Sequence, residues 1–196
     1  MPLTFNGTTV TAVTCNGTVL SSIICNGTTV WSASAAPDVG AAYAGGICAY
    51  LLLSGDPGYS SSTPHGLIVA TADQAAVTAW SNITSVAVTG TSANLGSGAA
   101  NTTKIMAQAG HTASAAKNCR NYSGGGFSDW YLPSEKELEK LCINCTAIGV
   151  MDPEGNYWSS TEVNATNVSI YSFYDSSPFD DIKNSDYPTV RAVRSF

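Results

Sequence analysis

The sequence predicts an α+β protein in which a small antiparallel β-meander precedes a domain of short helices and strands. Three observations carry that prediction. An Asn-Gly-Thr motif recurs at a period of ten, in Phe5-Asn6-Gly7-Thr8-Thr9-Val10, Cys15-Asn16-Gly17-Thr18-Val19-Leu20 and Cys25-Asn26-Gly27-Thr28-Thr29-Val30. Ser134-Glu135-Lys136-Glu137 is a helix-capping box, and Leu138, Leu141, Cys142 and Cys145 follow it at the spacing of one helical face. The stretch Val168–Tyr174 is rich in β-formers and alternates at the period of a strand.

Residues 1–34 hold the repeats. Asn-Gly favours positive φ at both central positions, as a type I′ hairpin turn requires. Apolar β-formers such as Val13, Cys15, Ile23, Ile24, Val30 and Trp31 flank the turns. Each repeat therefore reads as strand, tight turn, strand, and three in series as a meander. About thirty residues of meander cannot bury a core alone, so the segment needs a partner: the rest of the chain, sister subunits or a larger assembly. The last suits an extended strand array, and Asn6, Gly7, Asn16, Gly17, Asn26, Gly27 and Trp31 are the expected anchor and assembly residues. Residues 35–43, with Ala35, Ala36 and Pro37, read as a linker.

The main domain is expected over residues 44–196. Ile47–Leu53 is a buried-strand candidate, residues 54–64 a Gly/Ser/Pro-rich loop, and Gly66–Ala70 a second short strand. Asp73 is placed to cap a short helix running through Trp80. A Gly/Ser/Asn-rich stretch leads to two helices near Thr102–Ala109 and Ala113–Asn121. The capping-box helix comes next, then strands at Tyr157-Trp158, Val168–Tyr174 and Thr189–Phe196. Trp130 and Trp158 read as core, each with one N–H to satisfy. Arg191 and Arg194, on the terminal strand, are expected to pair with Asp129, Glu135 or Glu162.

Composition removes several function classes. Only 11% of residues are charged, the net charge is −6 and the pI near 4.6, so there is no basic footprint for a nucleic acid. The longest apolar run, Ile47–Leu53, is too short to insert in a membrane. Met1–Val10 has neither a basic nor an apolar region of a secretory signal, so release by lysis is the expected route out of a cell. His65 and His111 lie beside glycines in loops without a nucleophile elbow, and Gly124-Gly125-Gly126 is not followed by a phosphate-binding lysine. No catalytic constellation is expected, hence no enzyme. Cys142-x-x-Cys145 lacks a second pair at zinc spacing and reads as small buried hydrophobes or one structural disulfide. The pairing of the six cysteines stays open. No cofactor is expected, although Asp175, Asp180, Asp181, Asn184 and Asp186 form an oxygen cluster for which calcium stays open beside the favoured reading of solvated carboxylates.

The candidate binding surface lies between Glu162 and Pro188. Its candidate ligand contacts are Asn164, Asn167, Tyr171, Tyr174, Asp175, Phe179, Asp181, Asn184 and Tyr187. Aromatic faces stack on sugar C–H faces or apolar protein patches, while Asn and Asp fix hydroxyls. On alternation alone, Val168, Ile170 and Tyr174 share one face and Ser169, Tyr171 and Phe173 the other. A core role for these aromatics weighs equally.

Three blocks carry a resemblance: Gly126-Phe127-Ser128-Asp129-Trp130-Tyr131-Leu132-Pro133-Ser134, Tyr157-Trp158-Ser159-Ser160-Thr161-Glu162 and Val190-Arg191-Ala192-Val193-Arg194-Ser195-Phe196. With Gly66–Gln74 and Asn101-Thr102-Thr103 upstream, they resemble the Lcl C-terminal domain family over Ala44 to Phe196. That resemblance implies a C-type-lectin-like fold, helices packed on a small twisted antiparallel sheet, and a role in adhesion or display. The Glu-Pro-Asn and Trp-Asn-Asp motifs of calcium-dependent lectins are not in the sequence. The repeats over Leu3–Ser34 are similar to segments of phage fibre and structural proteins, which implies attachment to other virion proteins. The resulting expectation is a non-enzymatic virion surface protein, made in the host cytoplasm. It would be a homo-oligomer, a trimer by analogy, that presents a lectin-like domain to a host-surface glycan or protein. A decoration or fibre subunit without a ligand, and a bacterial surface adhesin, are the alternatives.

Overall fold

Three hairpins and two antiparallel sheets make up the strands of the computed structural model, which describes residues 36–75 and 78–196 and, before them, the backbone of six short strands. In the hairpins, β1 (Thr4–Phe5) pairs with β2 (Thr8–Thr9), β3 (Thr14–Cys15) with β4 (Thr18–Val19), and β5 (Ser22–Cys25) with β6 (Thr28–Ser32). The registers Phe5↔Thr8, Cys15↔Thr18 and Cys25↔Thr28 leave two residues for each turn, as Asn-Gly demands. Asn6, Gly7, Asn16, Gly17, Asn26 and Gly27 themselves lie outside the described residues, and Trp31 is described only through its backbone pairing with Ile23. The ladders described run within a repeat, and the junctions between repeats, on which the expected meander depends, lie outside the described residues.

The four-stranded sheet has the order β13-β9-β8-β7, with β7 at Ala42–Tyr43, β8 at Gly46–Leu51, β9 at Gly66–Val69 and β13 at Val193–Ser195. The three-stranded sheet is β10 (Asn156–Glu162), β11 (Asn167–Ser172) and β12 (Ser177–Ile182), in that order. Four helices pack on these sheets: α1 (Gly98–Met106), α2 (Ala115–Asn121), α3 (Glu135–Ile143) and α4 (Cys145–Ile148). This is the α+β mixture the sequence predicts. The helix expected from Asp73 through Trp80 is not among the described helices; Asp73 takes a different role, given below. None of the described helices is long and apolar enough to cross a membrane.

Strand alternation divides the interior into two cores. Ile68, Trp130, Trp158, Val168, Ile170 and Ala192 join one cluster with Trp80, Ile105 of α1 and Ala115, Ala116 and Cys119 of α2. Their chain neighbours Leu67, Val69, Tyr131, Tyr157, Tyr171 and Val193 join a second cluster with Leu138 and Leu141 of α3 and Ile148 of α4. Successive side chains point to opposite faces of a strand, so sheets covered on both sides bury odd and even positions alike. Trp80, Trp130 and Trp158 are fully buried, and each indole N–H donates to a carbonyl: of Ser159 (2.7 Å), Gly124 (3.3 Å) and Thr78 (2.9 Å) respectively.

Ion pairs of buried cations close the domain, the carboxylates of Asp129 and Asp73 staying partly exposed and that of Glu162 buried. Arg194 forks onto Asp129, Nε to Oδ1 at 2.7 Å and Nη2 to Oδ2 at 2.9 Å, and lies 3.8 Å from the ring centroid of Phe127. That pairing is one the sequence anticipates. Arg191 instead pairs with Asp73 (2.7 Å) and donates to the Ala70 carbonyl, because the chain following β9 runs beside the terminal segment. Glu162 is taken by Lys183 (2.5 Å), and Glu135 accepts from Ser169 Oγ (2.8 Å).

The capping box forms as read. Ser134 Oγ accepts from the Glu137 N–H at 3.3 Å, and Glu137 Oε2 accepts from the Ser134 N–H at 2.7 Å. The helix is interrupted at Asn144, so Cys142 lies in the last turn of α3 whereas Cys145 opens α4, which Gly149 terminates at φ 69°. Both thiols are free, as are Cys48 and Cys119. Ser134→Ala is expected to lower stability by about 1 kcal/mol, read as a fall in urea midpoint at unchanged m-value. A loss well above that would show that the Ser134 hydroxyl acts mainly through its bond to the Asn94 carbonyl (2.9 Å).

Candidate functional site

Where β11 hands over to β12, the backbone makes a four-residue connection from Phe173 to Ser176. Ser176 sits at φ 51°, a left-handed conformation that disfavours side chains other than those of Gly, Asn and Asp. It is pinned from below: Tyr171 Oη donates to the Ser176 carbonyl at 3.0 Å. Ser172 Oγ accepts from the Asp175 N–H (3.1 Å) and donates to Asp175 Oδ2 (2.9 Å), which fixes the carboxylate. The turn therefore presents Tyr174, 74% exposed, and Asp175 on a rigid support.

Around that turn lies an open cleft of about 510 Å³ lined by Glu154, Asn156, Ser172, Tyr174, Asp175, Phe179 and Tyr187. Asn156 opens β10 and pairs with Ser172, Phe179 comes from the edge strand β12, and Tyr187 from the segment leading to β13. Three partly or largely exposed aromatic rings, two carboxylates, one amide and one hydroxyl thus converge at one end of the three-stranded sheet. Tyr187 stays a neutral phenol well past the physiological range: burial and the Asp181 carboxylate push its hydroxyl up to about 12. Burial draws the Asp181 carboxyl upward, but the neighbouring Ser185 and Tyr187 hydroxyls and the hydrogen bond from the Ile182 N–H (2.7 Å) outweigh it, and the group sits below its ordinary value.

No family model matches the chain, and no curated protein is significantly similar to it.

Of the nine predicted contacts, Tyr174, Asp175, Phe179 and Tyr187 come together here. Asp181 stands beside Tyr187 but off the lining, and Asn184 is exposed in the turn after β12. Asn164 and Asn167 lie at the far end of β11, about 17 Å along the strand. Asn164 Oδ1 there accepts from the Thr166 and Asn167 N–H groups, each at 2.9 Å, and so builds the β10–β11 turn. Tyr171 is a correction: it is 4% exposed and belongs to the α3 core, because both faces of β11 are covered. Its contribution is to hold the turn, not to touch a ligand. Tyr174 is likewise displaced from the face it would share with Val168 and Ile170, because β11 ends at Ser172. Glu154, Asn156 and Ser172 were not anticipated. The pairing of Asn156 with Ser172 is the signal that finds them, and it requires β10 and β11 to be aligned first.

Asp180 and Asp181 are neighbours on β12 and point to opposite faces. Among the described residues, no group of three or more His, Cys, Asp or Glu side chains is placed to hold a metal ion. The histidines are engaged elsewhere: His65 Nδ1 lies 3.0 Å from the Phe196 carbonyl, and His111 Nε2 lies 2.8 Å from Ser114 Oγ, the N-cap of α2.

Proposed function

We propose that the domain is a carbohydrate-recognition module of C-type-lectin-like fold, carried on a virion surface for attachment to a host glycan. The observation that carries this reading is the cleft itself. Rings of Tyr174, Phe179 and Tyr187 stand exposed around polar groups that a rigid turn orients, which is the combination a sugar requires: apolar faces for its C–H groups and fixed acceptors for its hydroxyls. The cleft is open and shallow, which suits weak binding per copy multiplied by display of many copies. The N-terminal hairpins supply the attachment segment, and virion partners are the class their repeats suggest.

Binding of the purified protein to host cell-surface polysaccharide tests the proposal. Tyr174→Ala combined with Tyr187→Ala is expected to weaken binding at least about tenfold, the scale of two lost stacking contacts. Tyr174→Ala alone should leave stability within about 0.5 kcal/mol, as befits an exposed side chain. Host adsorption that persists unchanged in the double variant would refute the assignment of the cleft.

A further inference from the structure

Seven of the chain's fourteen Asp and Glu side chains fall between Asp152 and Tyr187, against the single cation Lys183. That stretch alone therefore carries −6, the formal charge of the entire chain. Lys183 is fully buried and spent on Glu162, so it does not offset the surface around the cleft. Within the lining, Glu154 and Asp175 face three aromatic rings, and no Lys, Arg or His takes part.

We propose that the cleft selects a sugar bearing a free, protonated amino group over neutral or anionic sugars. The inference rests on reading the cleft as a glycan site and names the class of glycan. An ammonium gains a charge-assisted hydrogen bond from Asp175, whose carboxylate Ser172 already orients through Oδ2. It also gains the electron-rich face of Tyr174 or Tyr187. A uronic or sialic acid meets only negative potential there. The space suits a sugar ring more than a small cation alone. At about 510 Å³ the cleft is far wider than one ammonium, and the ring pairs in contact among the described residues are Tyr43–Phe196, Tyr122–Trp130, Tyr157–Phe173 and Tyr171–Phe173, none of them from the cleft.

The test compares two oligosaccharides of one backbone and length, chitosan with free amines and chitin with acetylated ones, titrated calorimetrically into the full chain with chelator present. Chitosan is expected to bind at least about tenfold more tightly at low salt, with the advantage shrinking as salt screens the exposed charges. Glu154→Gln with Asp175→Asn should remove the difference between the oligomers. Tyr174→Ala with Tyr187→Ala, which keeps every charge, should abolish chitosan binding. Equal affinity for the two oligomers, or preference for chitin, overturns amine selection while leaving the glycan reading intact. Chitosan binding that is undiminished in the aromatic variant is bulk attraction between a polycation and an acidic protein, and overturns it too. Binding that needs added calcium overturns it in favour of a metal bridge, and no binding of either oligomer counts against the cleft itself.

Discussion

Lys183→Met is expected to lower folding stability by about 3–5 kcal/mol, the range seen when one partner of a buried ion pair is removed. Methionine roughly preserves the volume of the stem, so the change isolates the charge. The Lys183 ammonium is fully buried and reaches Glu162 Oε1 at 2.5 Å, the Val86 carbonyl at 3.0 Å and the Trp80 ring at 5.2 Å from its centroid. Glu162 is itself only 6% exposed, and the same Oε1 accepts from the Val88 N–H at 2.8 Å. The backbone of Lys183 adds two ties, accepting from the Trp80 N–H (2.8 Å) and donating to the Thr166 carbonyl (3.0 Å). One residue thus fastens the end of β12, the β10–β11 turn and the long loop after Trp80. Removing its charge leaves a carboxylate in a site water does not reach. Glu162→Gln in the Lys183→Met background should recover part of the loss, because the amide carbonyl still accepts from Val88 and no charge is stranded. Guanidinium unfolding of the four members of this cycle reads the coupling directly. A single-variant loss under about 1 kcal/mol, the size expected for an exposed pair, would show that water enters the site and that the buried geometry misstates its energetics.

Lys183 also marks the limit of what the sequence discloses. Local signals were legible: the capping box, the two-residue turns implied by Asn-Gly, and the Arg194–Asp129 pair, whose members lie in blocks already rich in apolar residues. Each depends on spacing within a few residues or on a scarcity of charges. Long-range pairings other than Arg194–Asp129 were not legible. A lysine in an Asp/Asn/Ser-rich stretch reads as solvated, and only the fold brings it to Glu162, twenty-one positions away. Similarly, Val168–Tyr174 announces a strand, but alternation cannot tell a sheet covered on one face from a sheet covered on both. That ambiguity misplaced Tyr171 as a ligand contact. No strand is expected from the sequence over β12, where Pro178, Asp180 and Asp181 are poor strand formers, yet those residues suit an exposed edge, where charge and proline discourage pairing with another chain. The cleft was half visible for the same reason. Its aromatics stood out by composition, whereas Glu154 and Asn156 belong to it only through the register of β10 on β11.

Glu137→Ala is the second large effect, expected at about 3–4 kcal/mol from groups left without partners. The sequence makes Glu137 the N3 residue of a helix-capping box. In the fold it is fully buried, and Oε2 accepts from the Ser134 N–H at 2.7 Å while Oε1 accepts from the Gly96 N–H at 3.1 Å and from Tyr131 Oη at 3.2 Å. Tyr131 is bonded in turn to Ser195 Oγ of β13 at 2.8 Å, so the carboxyl links α3, the start of α1 and the terminal strand. Gly98 allows this approach, since a Cβ there would stand 2.3 Å from Glu137 Oε2. Burial raises the Glu137 carboxyl above its ordinary value, against the pull of those donors. The folded state therefore takes up the proton more readily than the unfolded chain. Its contribution adds stability as the pH falls through the folded value toward the ordinary glutamate range, and gives that stability up as the pH rises again. Glu137→Gln, neutral throughout, has no such response. The stability gap between the natural protein and Glu137→Gln should consequently move in favour of the natural protein as the pH falls toward the ordinary glutamate range, measured by urea unfolding at each pH. A shift the other way on acidification would mean that the hydrogen bonds from Ser134, Gly96 and Tyr131 outweigh burial, and that the native site prefers the ionised carboxylate.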